Sequence, residues 1–302
     1  MNPRKYILRN IAILWLSTAA ALASLGQTPQ PKPLAPNVQE HRLDSKLMGR
    51  QMPYRVVLPA DYVEVKGSIP RYPVIYLLHG LTGRFNNWTD ATKVAEYALK
   101  HKFIIVTPEG NNGWYTDSAT VANDKFESYI VKELIPEIDA KYRTYADRAN
   151  RMIAGLSMGG YGATKFGLKY PEMFSIVGSF SGALGGATYP IPAGTGGTGF
   201  QGIIATSLAA AFGPVGSDTR KANDVFALVR GSGADKIAAM PYFYVSCGTE
   251  DFVFSDSREF SSLLLEKKVP HEYREHPGAH DWKFWDEHVR EFLVIAERRL
   301  KK

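Results

Sequence analysis

The chain has 302 residues, of which 45% are hydrophobic and 22% charged, a composition that supports a large buried core and excludes a wholly disordered protein. The formal charge is +6, and without residues 1–23, which carry three basic side chains and no acidic one, it falls by three to +3. No dense Lys/Arg cluster with interleaved aromatic residues remains, which argues against a nucleic-acid partner. A single cysteine, Cys247, excludes an internal disulfide, and its apolar neighbours favour a core position.

The amino terminus has the layout of a secretory signal. Basic residues precede an apolar run, Ile11–Leu25, and "ALA" at 21–23 offers a cleavage site. We therefore expect a signal peptide over 1–23 and a periplasmic or secreted protein, with no stable membrane association after the signal is removed. The alternative is an uncleaved anchor, but the run is shorter than the ~20 residues of a spanning helix. The proline-rich stretch 24–37 is expected to be a spacer before a folded domain at 38–302.

Beyond the spacer, short apolar runs alternate with longer stretches of helical period. This order is typical of a mostly parallel sheet covered by helices. The predicted strands are 54–59, 73–80, 103–110, 151–157, 173–182, 241–248 and 271–278. The predicted helices are 90–100, 126–142, 158–170, 256–268 and 281–300. The first strands, before Pro70, have no helix between them, so an antiparallel edge is expected there.

One long stretch, 183–240, interrupts this alternation. It opens with "ALGGATYPIPAGTGGTG", which is too rich in glycine and proline for a core element, and it is longer than an ordinary connection. Two interpretations stay open. The stretch is either a disordered surface insertion or a cap beside a functional site, where insertions carry specificity.

A serine flanked by glycines stands where a predicted strand meets a predicted helix. The sequence "GLSMG" at 155–159 matches G-x-S-x-G, and this context gives the motif its mechanical meaning. A nucleophile on a sharp strand-to-helix turn has a strained backbone, and side chains two positions away on either side would collide. Gly155 and Gly159 remove that collision. Ser157 is therefore the predicted nucleophile, close to a helix amino terminus that favours developing negative charge.

A serine needs a base and an acid that orients the base. In a sheet of this type the chain order is serine, acid, histidine, with the last two on loops after later strands. "TED" follows the strand at 241–248, and "AHDW" follows the strand at 271–278. Asp251 and His280 are thus the predicted acid and base, each beyond the carboxyl end of a strand.

Several neighbours compete for these roles. Glu250 would point differently from Asp251, and Asp281 is better suited to cap the last helix. The other nearby histidines are interpreted as solvated surface residues; they are His271, His276 and His288. A metal site built from His280, Asp281 and His288 matches no common ligand spacing.

The oxyanion of such a reaction needs two donors. The first is the backbone N–H of Met158, directly after the nucleophile. The second is expected from "LLHGLTGRFNNW", the loop after the strand at 73–80, where the N–H of Leu81 is the candidate. His79, at the end of that strand, is better suited to a structural role than to that of the base.

With these residues assembled, the chain resembles the esterase D-type group of α/β-hydrolases. This group includes S-formylglutathione hydrolase, short-chain carboxylesterases, the feruloyl and acetyl xylan esterases of carbohydrate esterase family 1, and mycolyltransferases. The resemblance covers most of 42–300 and rests on "YLLHGLTG", "WYTD", "GLSMGGYGA", "FGP" with "ANDVFALV", "CGTEDF" and "PGAHDWKFW". It implies an α/β-hydrolase fold with helices on both faces of the sheet. The Gly-rich segment Leu184–Gly202 has no counterpart in the family pattern.

By this similarity the catalytic residues are Ser157, Asp251 and His280, and the oxyanion amides are those of Leu81 and Met158. The leading hypothesis is an exported serine carboxylesterase for short acyl or aromatic esters, free or linked to polysaccharide, with no metal or organic cofactor. Alternatives are an acyltransferase with a sugar hydroxyl as acceptor and a thioesterase like S-formylglutathione hydrolase, whose cytosolic substrate fits poorly with a signal peptide. A non-catalytic binding protein on the same scaffold would be expected to lack a triad residue.

Overall fold

Eight strands pair side by side into one sheet, in the order β1-β2-β4-β3-β5-β6-β7-β8. The strands are β1 (Val38–Ser45), β2 (Arg50–Val57), β3 (Val74–Leu78), β4 (Ile104–Pro108), β5 (Arg151–Leu156), β6 (Ile176–Phe180), β7 (Tyr242–Gly248) and β8 (His271–His276). The computed structural model describes residues 33–62, 70–191 and 199–300. The predicted signal peptide and most of the predicted spacer lie outside these ranges, and the described elements belong to one unit, Pro36–Lys302.

The sheet is mostly parallel, as predicted. Strands β3 to β8 run parallel to one another, whereas β2 pairs antiparallel with β1 and β4 and forms the predicted antiparallel edge. Strand β1 is missing from the predicted strands. Its sequence, VQEHRLDS, is polar and half exposed because it lies at the edge of the sheet, so it lacks the apolar run that marks the central strands.

In the described ranges, a 3₁₀ turn at Arg148–Asn150, eleven α-helices and one π-helical turn connect or flank these strands. The α-helices and the π turn are α1 (Asn87–Ala91), α2 (Val94–Ala98), α3 (Phe126–Tyr129), a π-helical turn (Ile130–Leu134), α4 (Ile135–Lys141), α5 (Met158–Lys169), α6 (Phe200–Phe212), α7 (Asp218–Asn223), α8 (Val225–Arg230), α9 (Ala234–Ala239), α10 (Phe254–Glu266) and α11 (Trp282–Leu300), with the π turn continuing α3. Their positions confirm the predicted helices, with two local differences at 90–100 and 126–142.

Both differences have a local cause. The helix predicted at 90–100 is split into α1 and α2. The hydroxyl of Thr92 donates to the carbonyl of Trp88 and accepts the N–H of Val94 at 3.2 Å, and these side-chain hydrogen bonds end the first helix. The helix predicted at 126–142 contains Pro136, which has no N–H to donate to the preceding turn. A π-helical turn directly before α4 absorbs that defect.

Helices cover both faces of the sheet. On strand β6, Val177 packs against Gly167 of α5, whereas its neighbour Gly178 lies under the ring of Phe292 of α11. Successive residues of a strand point to opposite faces. Helix α5, which follows Ser157, and the carboxy-terminal helix α11 therefore lie on opposite sides of the sheet. None of the helices in the described ranges is long and apolar enough to cross a bilayer.

The stretch 183–240 is ordered over its described parts, which contradicts its interpretation as a disordered insertion. Ala183, Leu184 and Ala187 are buried in the main core, so the expectation that this glycine-rich start avoids the core was wrong. Buried Arg220 donates to the carbonyls of Gly213, Ala187 and Tyr189 at 2.9 to 3.2 Å. This guanidinium ties helix α7 to the start of the stretch. Residues 192–198 lie outside the described ranges.

Candidate active site

Ser157 occupies the tight turn between β5 and α5. Its backbone has φ 53° and ψ −119°, a conformation that L-residues rarely adopt and that persists only where the surroundings enforce it. A Cβ on Gly155 would lie 2.5 Å from the backbone of Gly159, and one on Gly159 would lie 2.5 Å from the carbonyl oxygen of Leu78. Glycine is therefore required on both sides of the serine, as the motif predicted.

The three predicted triad residues meet at the carboxyl ends of their strands. Ser157 Oγ lies 2.9 Å from His280 Nε2, and His280 Nδ1 lies 2.9 Å from both carboxylate oxygens of Asp251. Because a carboxylate only accepts, Nδ1 carries a proton and Nε2 is left to accept the hydroxyl proton of Ser157. This is the arrangement of a nucleophile, a base and an orienting acid.

The Asp251 carboxylate is fully buried, with 0% side-chain exposure. Burial alone would raise the pKa of Asp251, but hydrogen bonds from His280 and from the backbone N–H of Val253, at 3.0 Å, bring that pKa below its usual value. Asp251 therefore stays ionised, which suits it to stabilise a positively charged imidazole.

The competing acids have structural partners. Glu250 accepts the N–H of Gly278 and so holds the loop that carries His280. Asp281 accepts the N–H of Phe284 at 2.9 Å and caps α11, as expected. Neither contributes to the bonds of the imidazole ring.

The interpretation of His288 as a surface residue was wrong. Its side chain is buried, stacks on Phe284 and lies 3.2 Å from the hydroxyl of Tyr244. Burial lowers the pKa of His288 to about 4. His271 and His276 are partly buried. Within the described ranges, no group of three or more His, Cys, Asp or Glu side chains is arranged to hold a metal ion.

The two predicted oxyanion donors border the serine. Met158 is the first residue of α5, and Leu81 follows Gly80, whose Cα packs so closely that an added Cβ would lie 3.3 Å from the Ser157 Cβ and 2.6 Å from the Leu156 side chain. In the part of the chain that the structure describes, neither amide donates to another backbone carbonyl outside regular elements. This leaves the two amides as the candidate donors to an oxygen of a ligand.

Two aromatic rings that the sequence analysis did not assign hold the imidazole of His280. The ring of Phe252 lies 4.4 Å away between centroids, and the buried ring of Trp285 lies perpendicular at 4.9 Å. Phe252 is 69% exposed, unusual for a large apolar side chain. Its position directly after Asp251 could have indicated from the sequence that Phe252 lies near the imidazole.

We name residues 80–85, which follow β3 and His79, the oxyanion loop, and a cleft of about 720 Å³ opens beside it. One wall is formed by residues 82–84 and 111–113 and the other by helix α6. Polar side chains of Arg84, Asn112 and Thr206 alternate there with apolar ones such as Ile203. Helix α6 thus lies beside the oxyanion loop, as a cap would, although Ser157, Asp251 and His280 do not line the cleft.

The chain is similar to known esterases in sequence and in fold. The family model described as "Putative esterase" matches residues 45–293. An acetyl esterase of Caldicellulosiruptor saccharolyticus is 27% identical, over 81% of this chain and 92% of the relative. An esterase of Mycobacterium tuberculosis is 30% identical over 81% of this chain, which spans 56% of that longer relative. The solved structure of a ferulic acid esterase is 28% identical with a TM-score of 0.72, covering 87% of this chain and 98% of that one.

Proposed function

The chain belongs to the family described as "Putative esterase", within the α/β-hydrolase fold, as its sequence motifs predicted, and from that premise we propose that it is a serine carboxylesterase whose nucleophile is Ser157. The observation that carries this proposal is the hydrogen-bonded series Ser157, His280 and Asp251 on a strained strand-to-helix turn. Burying a carboxylate and holding a serine at positive φ both cost stability, so the arrangement favours a catalytic role.

The first half of the reaction is acylation. His280 Nε2 takes the proton of Ser157 as Oγ attacks the ester carbonyl, and the carbonyl oxygen becomes an oxyanion that accepts from the N–H groups of Leu81 and Met158. When the tetrahedral adduct collapses, the bond to the alcohol oxygen breaks and His280 returns the proton to that oxygen. The alcohol leaves, and the acyl group remains on Ser157 as an ester.

The second half is deacylation. A water molecule gives one proton to His280 Nε2 while its oxygen attacks the acyl-serine carbonyl, and the same two amides hold the second oxyanion. Collapse breaks the bond to Ser157 Oγ, which takes the proton back from His280. The products are a carboxylic acid and the free enzyme, and the sequence of steps uses no metal or organic cofactor.

We extend the proposal to short-chain and aromatic esters, including acetyl and feruloyl esters carried by polysaccharides. The acetyl esterase and ferulic acid esterase among the relatives support this choice. The cleft beside the oxyanion loop has the mixed polar and apolar lining that an aromatic acid or a sugar requires. The basic, apolar and small-residue order of the amino terminus supports export to the periplasm or medium, where such polymers are met.

The test is a panel of nitrophenyl esters of increasing acyl length together with methyl ferulate and acetylated xylan. We expect turnover of acetyl or feruloyl esters and labelling of Ser157 by a fluorophosphonate probe. Ser157→Ala, with its fold checked by circular dichroism, should lose both. Labelling at another residue, or more than a few per cent of activity in Ser157→Ala, would contradict the mechanism.

Product analysis by mass spectrometry with an added sugar acceptor separates hydrolysis from transfer. Hydrolysis yields only the free acid, as we propose. An acceptor-dependent sugar ester as the main product would replace the proposed esterase with an acyltransferase that uses the same triad.

A further inference from the structure

A second histidine lies directly beneath the oxyanion loop. His79, the residue after β3, is buried, with 1% of its surface exposed. Its Nδ1 lies 2.8 Å from the carbonyl oxygen of Gly80, which also accepts the N–H of Gly83 at 3.0 Å. A carbonyl oxygen only accepts, so Nδ1 carries a proton and donates it to Gly80 whatever the state of Nε2.

This hydrogen bond acts on the peptide unit that supplies an oxyanion donor. The carbonyl of Gly80 and the N–H of Leu81 belong to one planar peptide, and in a trans peptide the two groups point in opposite directions. All described peptide bonds are trans. Fixing the Gly80 carbonyl toward His79 and Gly83 therefore turns the Leu81 N–H the other way, on a loop whose Gly80 packs against Ser157.

The His79 ring is itself held on its far side. Nε2 lies 2.9 Å from the backbone nitrogen of Gly110 and 3.2 Å from Oε1 of buried Glu109. The same carboxylate accepts the N–H of Asn111 at 2.7 Å and that of Phe85 at 3.3 Å, so it links the loop after β4 to the end of the oxyanion loop. The imidazole thus has a fixed orientation, and its Nδ1 proton has a fixed direction.

A further contact fixes the backbone of His79. The hydroxyl of Tyr115 donates to the His79 carbonyl at 3.0 Å, and Tyr115 lies in a loop where Asn111, Trp114 and Tyr115 all have positive φ. Strained residues of this kind persist only where neighbouring contacts enforce them, and they concentrate at functional sites. Here they surround the support of the oxyanion loop.

We propose that His79 is a positioning residue for the oxyanion hole: its Nδ1–H holds the Gly80 carbonyl so that the Leu81 N–H faces the reacting carbonyl. The inference rests on the proposed function, because it assumes that Leu81 N–H stabilises an oxyanion. Within the described ranges the hydrogen bonds of the His79 ring go to Gly80, Glu109 and Gly110 and not to Ser157, so we expect its effect in the transition state and not in the affinity for the ground-state ester.

Two amide substitutions separate this role from simple packing. The side-chain amide of Asn reaches about as far as Nδ1 of histidine, whereas that of Gln reaches about as far as Nε2. His79→Asn can therefore still donate to Gly80, and His79→Gln cannot. For His79→Gln we expect kcat to fall by about tenfold or more with KM little changed, a smaller loss than that caused by deleting a direct oxyanion donor. His79→Asn should restore kcat to within about threefold of the wild type.

Binding of a boronic acid provides the readout that packing would not move. Its tetrahedral adduct with Ser157 places an oxygen where the oxyanion forms, so the Kd should rise in His79→Gln in step with the loss of kcat and should recover in His79→Asn. Thermal unfolding of both variants reports on the fold. Equal losses of kcat in the two variants, or a loss of kcat without a weaker boronic acid, would overturn the positioning role.

The wild type separates failure of this inference from failure of the proposed function. If wild-type protein turns over esters in a Ser157-dependent manner and His79→Gln is as active as the wild type, only the inference fails. If the wild type neither turns over esters nor binds the boronic acid at Ser157, the proposed function fails and the inference falls with it.

Discussion

Two of the regions that bury charge in this molecule treat it differently. The candidate active site holds Asp251 beneath His280 and Ser157. The other region, which we name the buried ion cluster, lies on the side of α5 away from its amino terminus and contains Glu127, Lys165, Lys169 and Tyr170. Lys165 is fully buried, and its ammonium donates to the carbonyl of Tyr115, the hydroxyl of Thr116 and the carboxylate of Glu127 at 2.6 to 2.8 Å.

In the buried ion cluster, Lys165 and Glu127 each have several hydrogen-bond partners. The three protons of the Lys165 ammonium have three acceptors, and Glu127 also accepts from Lys169 at 2.6 Å and from Tyr170 at 2.7 Å. At Ser157, by contrast, the series of hydrogen bonds ends at a serine hydroxyl, whose proton can be transferred. The buried charges of Lys165 and Glu127 are thus paired with each other, whereas the hydrogen bonds of Asp251 lead through His280 to the hydroxyl of Ser157.

The comparison predicts its largest effect at Asp251. Asp251→Asn keeps the shape of the side chain but favours the wrong tautomer of His280, and the equivalent change in a serine protease lowers turnover about 10⁴-fold. Kinetics on the purified variant should show a loss of that order with a nearly native unfolding curve. Glu250→Gln is the matched control, because its amide oxygen still accepts from Gly278 and should leave turnover within a few-fold. A large loss at position 250 with near-normal turnover at 251 would reverse the assignment.

The buried ion cluster should instead respond in stability. Glu127→Leu leaves the Lys165 ammonium buried without its counter-ion, and removing one partner of a buried pair costs about 3 to 5 kcal/mol of unfolding free energy. Urea denaturation measures this loss, while turnover of the folded fraction should stay within a few-fold. The double variant Glu127→Leu with Lys165→Met removes both charges and should regain much of the stability. If the double variant is less stable than Glu127→Leu, the unpaired charge is not the cause.

The same carboxylate predicts how stability depends on pH. Burial alone would raise the pKa of Glu127, but Lys165 and Lys169 bring it from 4.5 down to about 2. A lowered carboxyl pKa stabilises the folded state above pH 4.5, and this contribution, roughly 3 kcal/mol, is lost as the pH falls from 4.5 toward 2. Denaturation curves between pH 7 and 2.5 should show a steeper loss in the wild type than in the double variant. Parallel curves would show that Glu127 is not the group that titrates.

The smallest effect is expected at Asp281, next to His280 in the chain but structural in role. Asp281→Ala removes the cap of α11, which should lower the free energy of unfolding by about 1 kcal/mol and leave the chemical step nearly intact. Asp281→Asn retains an acceptor for the N–H of Phe284 and serves as the control. A drop in turnover comparable to that of Asp251→Asn would place Asp281 in the catalytic machinery.

Local sequence patterns were sufficient for the central part of the fold. Strands β3 to β7 are apolar runs buried on both faces, so the sequence alone predicts that they are central strands. Strand β1 was not predicted because an edge strand forms by pairing with its neighbour and does not require an apolar sequence. The π turn before α4 was not predicted. Pro136 shows from the sequence that the helix is disturbed near this point, but it does not show whether the helix ends there or continues through a π turn.

The candidate site also has features that the sequence predicts and features that depend on the tertiary structure. The glycines around Ser157 and the order of Ser157, Asp251 and His280 follow from local constraints: a tight turn excludes side chains, and loops after parallel strands meet at one edge of the sheet. Local constraints do not set the hydrogen-bond distances among these three residues, because the bonds join residues that are 29 and 123 positions apart in the chain.

The sequence by itself determined the alternation of strands and helices, the strained turn and the residue types at the triad, because each depends on neighbours a few positions away. Only the tertiary structure decided which polar groups are buried and what pairs with them. His288 looks like a surface residue in its helix, yet it is buried against Phe284. Lys165 is buried opposite Glu127, 38 residues away, and His79 reaches Glu109, 30 residues away. Burial and pairing of charge depend on which distant segments the fold brings together, and no local pattern records that.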